Sequence, residues 1–145
     1  MKTKLQVIVF FVLMIALTSC SNTKLLTMHT WHMDETQIQI GNEQTYYKLN
    51  GLNTTPFDYS RVRFVFKKDG TGVYTDGSDR VYSFTWVFDA NDKTKLKMTI
   101  KYSESKIMTF DYNFVEITNH SFTYTETYSE GGIFVMSQNR YIPFP

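Results

Sequence analysis

The sequence contains one cysteine, Cys20, and its thiol is the most reactive group in the chain. With no second cysteine, a disulfide within the domain is impossible. The thiol must therefore be free, reactive, bound to a metal, cross-linked to another chain or chemically modified. The residues that precede Cys20 decide among these alternatives.

The first nineteen residues have the pattern of a secretory signal. Lys2 and Lys4 give a basic start, and residues 5–17 form an apolar run that is interrupted only by Gln6. A basic head followed by about 7–15 apolar residues is typical of a signal peptide, whereas a membrane-spanning helix needs roughly 20 apolar residues. Residues 1–19 are therefore predicted to be a leader that is cleaved. The alternatives are an uncleaved anchor and a simple secretory leader with an unrelated cysteine.

The tetrapeptide Leu17-Thr18-Ser19-Cys20 resembles the lipobox of bacterial lipoproteins. That resemblance implies cleavage before Cys20, diacylation of its sulfur and acylation of the new N-terminus. Two or more acyl chains attach a protein stably to a membrane, and residues 20–27 would form the lipidated N-terminus and its tether. Position 21 is serine and no acidic cluster follows Cys20. The predicted location is therefore the bacterial cell envelope, at the outer membrane and facing the periplasm.

The three histidines do not form a recognisable metal motif. His29 and His32 have an odd separation, which puts them on opposite faces of an extended strand, and His120 is remote in sequence. Zinc sites need three or four converging ligands. We predict no metal site and no cofactor.

Motifs for catalysis are also missing from the sequence. No Gly-x-Ser-x-Gly nucleophile elbow and no glycine-rich phosphate loop occur. A carboxylate pair for glycoside chemistry can be drawn only from Asp111, Glu116 and Glu126. The prediction is a protein that is not an enzyme, with no catalytic residue.

Composition excludes one partner class and favours one fold class. The formal net charge is +1, and removing Lys2 and Lys4 with the leader takes it to −1, whereas nucleic-acid-binding domains are strongly basic. No nucleic-acid partner is expected. Ten tyrosines, twelve phenylalanines and two tryptophans are typical of a protein rich in β-sheet.

Apolar and polar residues alternate with period 2 along most of the mature chain, which indicates half-buried strands. The alternation is sharpest over 95–102, where Leu96, Met98 and Ile100 alternate with lysine and threonine. The opening strands are drawn from 30–33, 37–40 and 45–49, and the later ones from 61–67, 72–75, 80–88, 95–102, 107–117, 121–128 and 133–138.

Short connections between these segments make consecutive strands antiparallel neighbours, and closing the sheet removes its exposed edges. The predicted fold class is all-β, with residues 28–145 forming an antiparallel up-and-down meander of eight or nine strands that closes into a small barrel. A β-sandwich is the alternative.

Several features resemble the lipocalin-like (calycin-like) lipoproteins common in Bacteroidetes. They are Trp31 near the mature N-terminus, the hairpin 66–72, Phe84-Thr85-Trp86, the Leu-x-Met-x-Ile strand at 96–100, and the pair Phe122 and Tyr124. The Gly-x-Trp signature of lipocalins is not intact, because His29 and Thr30 precede Trp31. The resemblance implies a lipocalin-like barrel and, since many such lipoproteins have no assigned ligand, a shape more than an activity.

Two functions are compatible with this fold. The first is binding of a small hydrophobic molecule inside the barrel, with candidate contact residues Trp31, Tyr82, Phe84, Trp86, Phe110 and Tyr112, and Phe114 on the same predicted inward face as the last two. These rings would equally fill the core of a barrel without a ligand. The second is a non-catalytic module whose outer surface, around residues 123–128, recognises an envelope protein or a polysaccharide.

Overall fold

The computed structural model describes residues 22–145. The predicted leader, residues 1–19, and Cys20 lie outside the described residues. Within the described part, strands account for most of the chain.

Within residues 22–145, nine strands form one sheet, and all of their pairings are antiparallel. They are β1 (Thr30–Ile40), β2 (Glu43–Lys48), β3 (Arg63–Phe66), β4 (Thr71–Thr75), β5 (Val81–Phe88), β6 (Leu96–Lys101), β7 (Ile107–Ile117), β8 (Phe122–Glu130) and β9 (Ile133–Pro143).

The sheet closes on itself. Strands β3 to β9 pair in sequence order, β3 pairs with β1, and β9 pairs back with β1. Eight strands, β1 and β3 to β9, thereby form an antiparallel barrel, which is compatible with a lipocalin-like fold. The prediction of an all-β up-and-down barrel is confirmed, and the β-sandwich alternative is wrong.

Strand β1 is longer than the sequence predicts. The segments 30–33 and 37–40 belong to one strand, whose register against β9 shifts between Met33 and Glu35, as at a β-bulge. The first residues of β1 pair with β3 and the later ones with β2. Glu35 accepts hydrogen bonds from Lys48 Nζ at 2.8 Å and Tyr46 Oη at 2.9 Å, which hold β2 against β1.

Side-chain alternation decides which face of each strand is buried. In β6, Leu96, Met98 and Ile100 are buried while Lys97 and Lys101 are exposed. Strand β5 follows the same rule. Because successive side chains of a strand point to opposite faces, the apolar faces of β5 and β6 turn toward the barrel interior.

One end of the interior, which we call the closed half, lies where β1 begins and β9 ends. Residues 22–26 form a short helix there, Leu26 is completely buried, and Trp31 Nε1 donates a hydrogen bond to the Leu26 carbonyl at 2.8 Å. Residues 22–26 of the predicted tether are therefore part of the folded domain. The large side chains that fill the closed half are Trp31, Phe66, Phe84, Trp86, Leu96, Met98 and Phe122.

Gly72 is required by the packing of the closed half. Gly72 and Phe84 are cross-strand partners, and a Cβ added at Gly72 would lie 2.1 Å from the Phe84 ring and 2.5 Å from the Val65 carbonyl oxygen. Real Cβ atoms do not make contacts this short. The absence of a side chain at this position lets the Phe84 ring lie directly over the backbone of β4.

Strand β7 changes the face that it buries part-way along. The sequence predicts Tyr112 and Phe114 on one inward face, but Tyr112 is 3% exposed and Phe114 is 74% exposed. Phe114 has a φ of 53°, and the register against β8 shifts between Asn113 and Glu116. The extra residue of this bulge turns Val115 inward instead, so the prediction for Phe114 is wrong.

Candidate ligand-binding cavity

The opposite end of the barrel, which we call the open half, lies where β1 ends at Ile40 and β9 begins at Ile133. Its interior contains a cavity of about 680 Å³ that opens to solvent between the strand ends. Typical ligand pockets measure about 300–1,000 Å³, and an eight-stranded barrel is wide enough for one small ligand. The open half therefore has room for a small molecule.

Tyrosine is the most frequent side chain in the cavity wall. The rings of Tyr112 and Tyr124 stack with centroids 3.8 Å apart, and the hydroxyls of Tyr124 and Tyr141 are 3.3 Å apart. A phenol combines an apolar ring with a polar tip, so this wall offers both kinds of surface. Seven of the ten tyrosines, all in the described chain, line the cavity: Tyr59, Tyr74, Tyr102, Tyr112, Tyr124, Tyr128 and Tyr141.

A strip of polar side chains crosses the wall where β1 pairs with β9. Thr36 Oγ1 donates a hydrogen bond to Asn139 Oδ1 at 2.8 Å, and Asn139 Nδ2 donates to Ser137 Oγ at 2.9 Å. All three residues are buried. Buried polar groups are costly unless they are hydrogen-bonded, and these bonds allow a polar strip inside the barrel.

Glu126 brings a carboxylate to the same cavity. It lies on β8 directly opposite Tyr112 of β7 and Ser137 of β9, and both of these residues are buried. Cross-strand partners project from the same face of a sheet, so the side chain of Glu126 points inward. Among the described residues that line the cavity there is no lysine, arginine or histidine.

The electrostatics of the wall follow from burial. Desolvation disfavours a charged carboxylate and raises the pKa of Glu126 to about 7. Burial also raises the pKa values of Tyr112, Tyr124 and Tyr141 well above their usual 10.0, and the nearby Glu126 charge adds to this. These tyrosines stay neutral near neutral pH, where Glu126 titrates.

The contact residues predicted from the sequence divide between the two halves. Phe110 and Tyr112 line the cavity. Trp31, Phe84 and Trp86 are buried in the closed half, at 0%, 3% and 8% exposure, and do not reach it. The structure therefore brings two of the predicted residues together at the cavity and assigns three to the core.

Tyr82, the sixth predicted residue, lies between these groups. Its ring packs against Tyr102 with centroids 4.8 Å apart and against Tyr74 with centroids 6.1 Å apart. Tyr74 and Tyr102 line the cavity. Tyr82 thus packs beside two wall residues without lining the cavity itself.

Glu126 is the residue that the ligand hypothesis missed. The same period-2 pattern that turns Tyr124 inward turns Glu126 inward two residues later, so the signal was present in the sequence. Asp111 and Glu116, the other members of the proposed carboxylate set, face outward: Asp111 lies 3.6 Å from Lys97 Nζ, and Glu116 is exposed. The three carboxylates do not converge.

The first two histidines make packing contacts. His29 lies edge-on to the Trp31 ring with centroids 5.3 Å apart, and the His32 ring hydrogen-bonds the Ser60 carbonyl. Across residues 22–145, no group of three or more histidine, cysteine, aspartate or glutamate side chains is placed to hold a metal ion. In that same part of the chain no helix has the length and apolar character needed to cross a bilayer.

No protein-family model matches the sequence, and no curated protein matches it. The function is therefore inferred from the cavity and its wall.

Proposed function

We propose that the protein binds a small, largely apolar molecule in the open half of its barrel. The observation that carries this proposal is the cavity of about 680 Å³ beside a closed half that is filled by large side chains. Protein interiors are normally packed to the density of organic crystals, and the closed half shows that this chain achieves such packing. The open half does not, although it has the same strands and its wall is also rich in aromatic rings.

The chemistry of the wall also fits an apolar ligand. Binding pockets are mostly apolar and carry a few polar groups that fix the orientation of the ligand. Here the rings of Tyr74, Tyr112 and Phe110 supply apolar surface, and the polar strip of Thr36, Asn139 and Ser137 supplies hydrogen-bonding groups.

Native mass spectrometry of the full chain, purified from its own host in lipid nanodiscs, tests this proposal. We expect a co-purifying small molecule that denaturation releases. Ser137→Phe, which fills the cavity, should remove it, whereas Thr85→Phe, on the exposed face of β5, should retain it. An empty wild-type protein that binds no member of a small-molecule library would refute the proposal.

We also propose that Cys20 is lipidated and holds the protein at the outer membrane, facing the periplasm. The support is the signal-like sequence 1–19 and the lipobox-like residues 17–20. Residue 22 belongs to the closed half, and two residues span at most about 7 Å. An acyl anchor at Cys20 would thus put the closed half toward the membrane and the cavity mouth away from it.

Metabolic labelling with palmitate tests the anchor. The wild-type chain should incorporate label and partition into detergent, and Cys20→Ser should lose the label. Mass spectrometry that finds the leader intact and Cys20 unmodified would refute lipidation and leave the cavity proposal unaffected.

A second candidate function is recognition of an envelope polysaccharide by the outer face of β1, β8 and β9. Phe114 is held 74% exposed beside a shallow groove of about 250 Å³. An exposed ring next to amide and guanidinium donors suits a sugar, whose C–H faces pack on rings and whose hydroxyls accept hydrogen bonds. The polar residues of this groove, apart from Tyr124, are Glu35, Gln37, Thr123, Thr125, Gln138, Asn139 and Arg140.

A pull-down with envelope polysaccharide separates this candidate from the cavity proposal. Binding that Phe114→Ala removes and Ser137→Phe retains would support the outer groove. If both variants lose binding to the polysaccharide, polysaccharide recognition by the outer groove is not supported. A partner that proves to be an envelope protein and not a glycan would also count against it.

A further inference from the structure

We propose that the occupant of the open-half cavity is a small organic cation, an amine with an apolar or aromatic body, whose ammonium group pairs with the carboxylate of Glu126. This inference rests on the proposed function and specifies the class of ligand. It is carried by one inward carboxylate in a wall of phenol rings that has no basic side chain among its described residues.

The signs of the charges in the wall favour a cation over an anion. Of the two acidic residues that line the cavity, Asp111 is 70% exposed and lies beside Lys97 on the outer face, and Glu126 points inward. A ligand carboxylate would meet Glu126 and phenol oxygens with no counter-ion, and a buried charge without a partner is strongly disfavoured. A ligand ammonium would neutralise Glu126 instead.

The rings around Glu126 add a second attraction for a cation. Tyr112 lies directly across from it, and the Tyr124 ring stacks on Tyr112. The face of an aromatic ring attracts a cation within about 6 Å, and a phenol oxygen accepts a hydrogen bond from an ammonium. Burial raises the pKa of Tyr102, and the charge of the nearby Glu126 raises it further. A carboxylate flanked by rings is thus a site for an ammonium head.

The charge on Glu126 should change when an amine binds. Burial raises the pKa of Glu126 to about 7, so the carboxyl group is largely protonated in mildly acidic solution. A bound ammonium favours the ionised form, and the affinity for an amine should therefore fall as pH decreases below about 7.

The titratable groups that surround Glu126 in the cavity are phenols. They are Tyr112 on β7, Tyr102 directly after the end of β6, Tyr141 on β9, and Tyr124 and Tyr128 on its own strand β8. Burial raises the pKa values of Tyr102, Tyr112, Tyr124 and Tyr141 above 10.0.

Three probes with the same phenyl body and different heads test the inference: phenethylamine, phenethyl alcohol and phenylacetate. Calorimetry on the full chain in nanodiscs should show phenethylamine binding at least about ten-fold more tightly than the alcohol, as expected for a charge-assisted hydrogen bond in a buried site. Phenylacetate should bind more weakly than the alcohol.

Two glutamine variants then locate the effect. Glu126→Gln should abolish the preference for the amine and leave the affinity for phenethyl alcohol within about three-fold, since the body contacts remain. Glu116→Gln, a matched change at an exposed position of β7, should retain the preference. On the wild-type chain, lowering the pH from about 8 to about 5 should weaken amine binding at least ten-fold and leave alcohol binding unchanged.

The outcomes separate the two proposals. Equal binding of amine and alcohol, or a preference for phenylacetate, would overturn the cation inference and leave small-molecule binding intact. Binding of none of the three probes, together with an empty native protein, would overturn both. A preference for the amine that survives in Glu126→Gln would overturn the assignment to Glu126.

Discussion

The closed and open halves of this barrel are built from the same strands and the same alternation, yet they differ in what the inward side chains are. In the closed half they are aliphatic, phenyl, thioether and indole groups, and Trp31, Leu96, Met98 and Phe122 are at most 1% exposed. In the open half, phenols, a polar strip and Glu126 surround a cavity. From this difference we propose that the closed half supplies stability and that the open half is the part that binds a ligand.

The largest expected difference is in the free energy of unfolding, when one phenylalanine in each half is replaced by alanine. Phe122→Ala removes a completely buried ring that packs against Trp31, Phe66 and Tyr141, and it should lower the free energy of unfolding by about 3–5 kcal/mol. Phe110→Ala removes a half-buried ring of the cavity wall and should cost about 1 kcal/mol. Urea unfolding measures both values, and equal losses would contradict the division into halves.

Adding one methyl group to the closed half should be nearly as harmful. Gly72→Ala puts a Cβ into the Phe84 ring, and overpacking of this kind costs about 1–3 kcal/mol. Gly132→Ala is a control in open space, although its positive φ of 80° carries its own backbone strain. Thermal unfolding should show Gly72→Ala as the less stable variant; the reverse order would mean that the Phe84 ring moves aside easily.

Glu126→Gln should stabilise the protein, and its effect should depend on pH. The pKa of Glu126 is about 7 in the folded chain against an ordinary 4.5, so the folded state binds the proton more tightly than the unfolded state. Its stabilising contribution is complete below about pH 4.5 and is lost as pH rises through about 7. The variant should therefore be more stable than wild type by about 1–3 kcal/mol near pH 8, and equal to it near pH 4.

Unfolding curves across that pH range measure this difference. Glu116→Gln, at an exposed position of β7, should show no such dependence. A Glu126→Gln variant less stable than wild type near pH 8 would mean that the carboxylate has a stabilising partner.

The smallest effect on the free energy of unfolding is expected at the bulge of β7, which lies outside both halves of the interior. Phe114 has a φ of 53°, a left-handed conformation that asparagine tolerates better than phenylalanine. Phe114→Asn should raise the free energy of unfolding by up to about 1 kcal/mol and leave amine binding in the cavity unchanged. A loss of more than about 1 kcal/mol would show that the exposed ring has a structural role.

The sequence predicts the barrel well because its alternation is a local property. In β6, the spacing of Leu96, Met98 and Ile100 alone predicts that they share one face, and all three are buried in the structure. The prediction failed at Phe114 because the extra residue of the bulge depends on the pairing of β7 with β8. The spacing of apolar residues along β7 does not indicate that extra residue.

The cavity was harder to predict than the sheet. Trp86 and Tyr112 both alternate inward, and only their depth in the barrel decides that one fills the core and the other lines the cavity. That depth is fixed by contacts distant in sequence, such as the pairing of β1 with β9. Glu126 followed the alternation, but the role that we propose for it depends on the lack of a basic side chain among the described residues of the cavity wall, which the strand itself does not reveal.

Nuclear magnetic resonance of a chain labelled in its tyrosine rings and tryptophan indoles tests the division between the halves most directly. On titration with phenethylamine, the ring signals of Tyr112 and Tyr124 should shift in a saturable way, and the indole signals of Trp31 and Trp86 should not. Shifts of the indoles with unchanged tyrosines, or no saturable shift in any ring, would contradict the assignment of ligand binding to the open half.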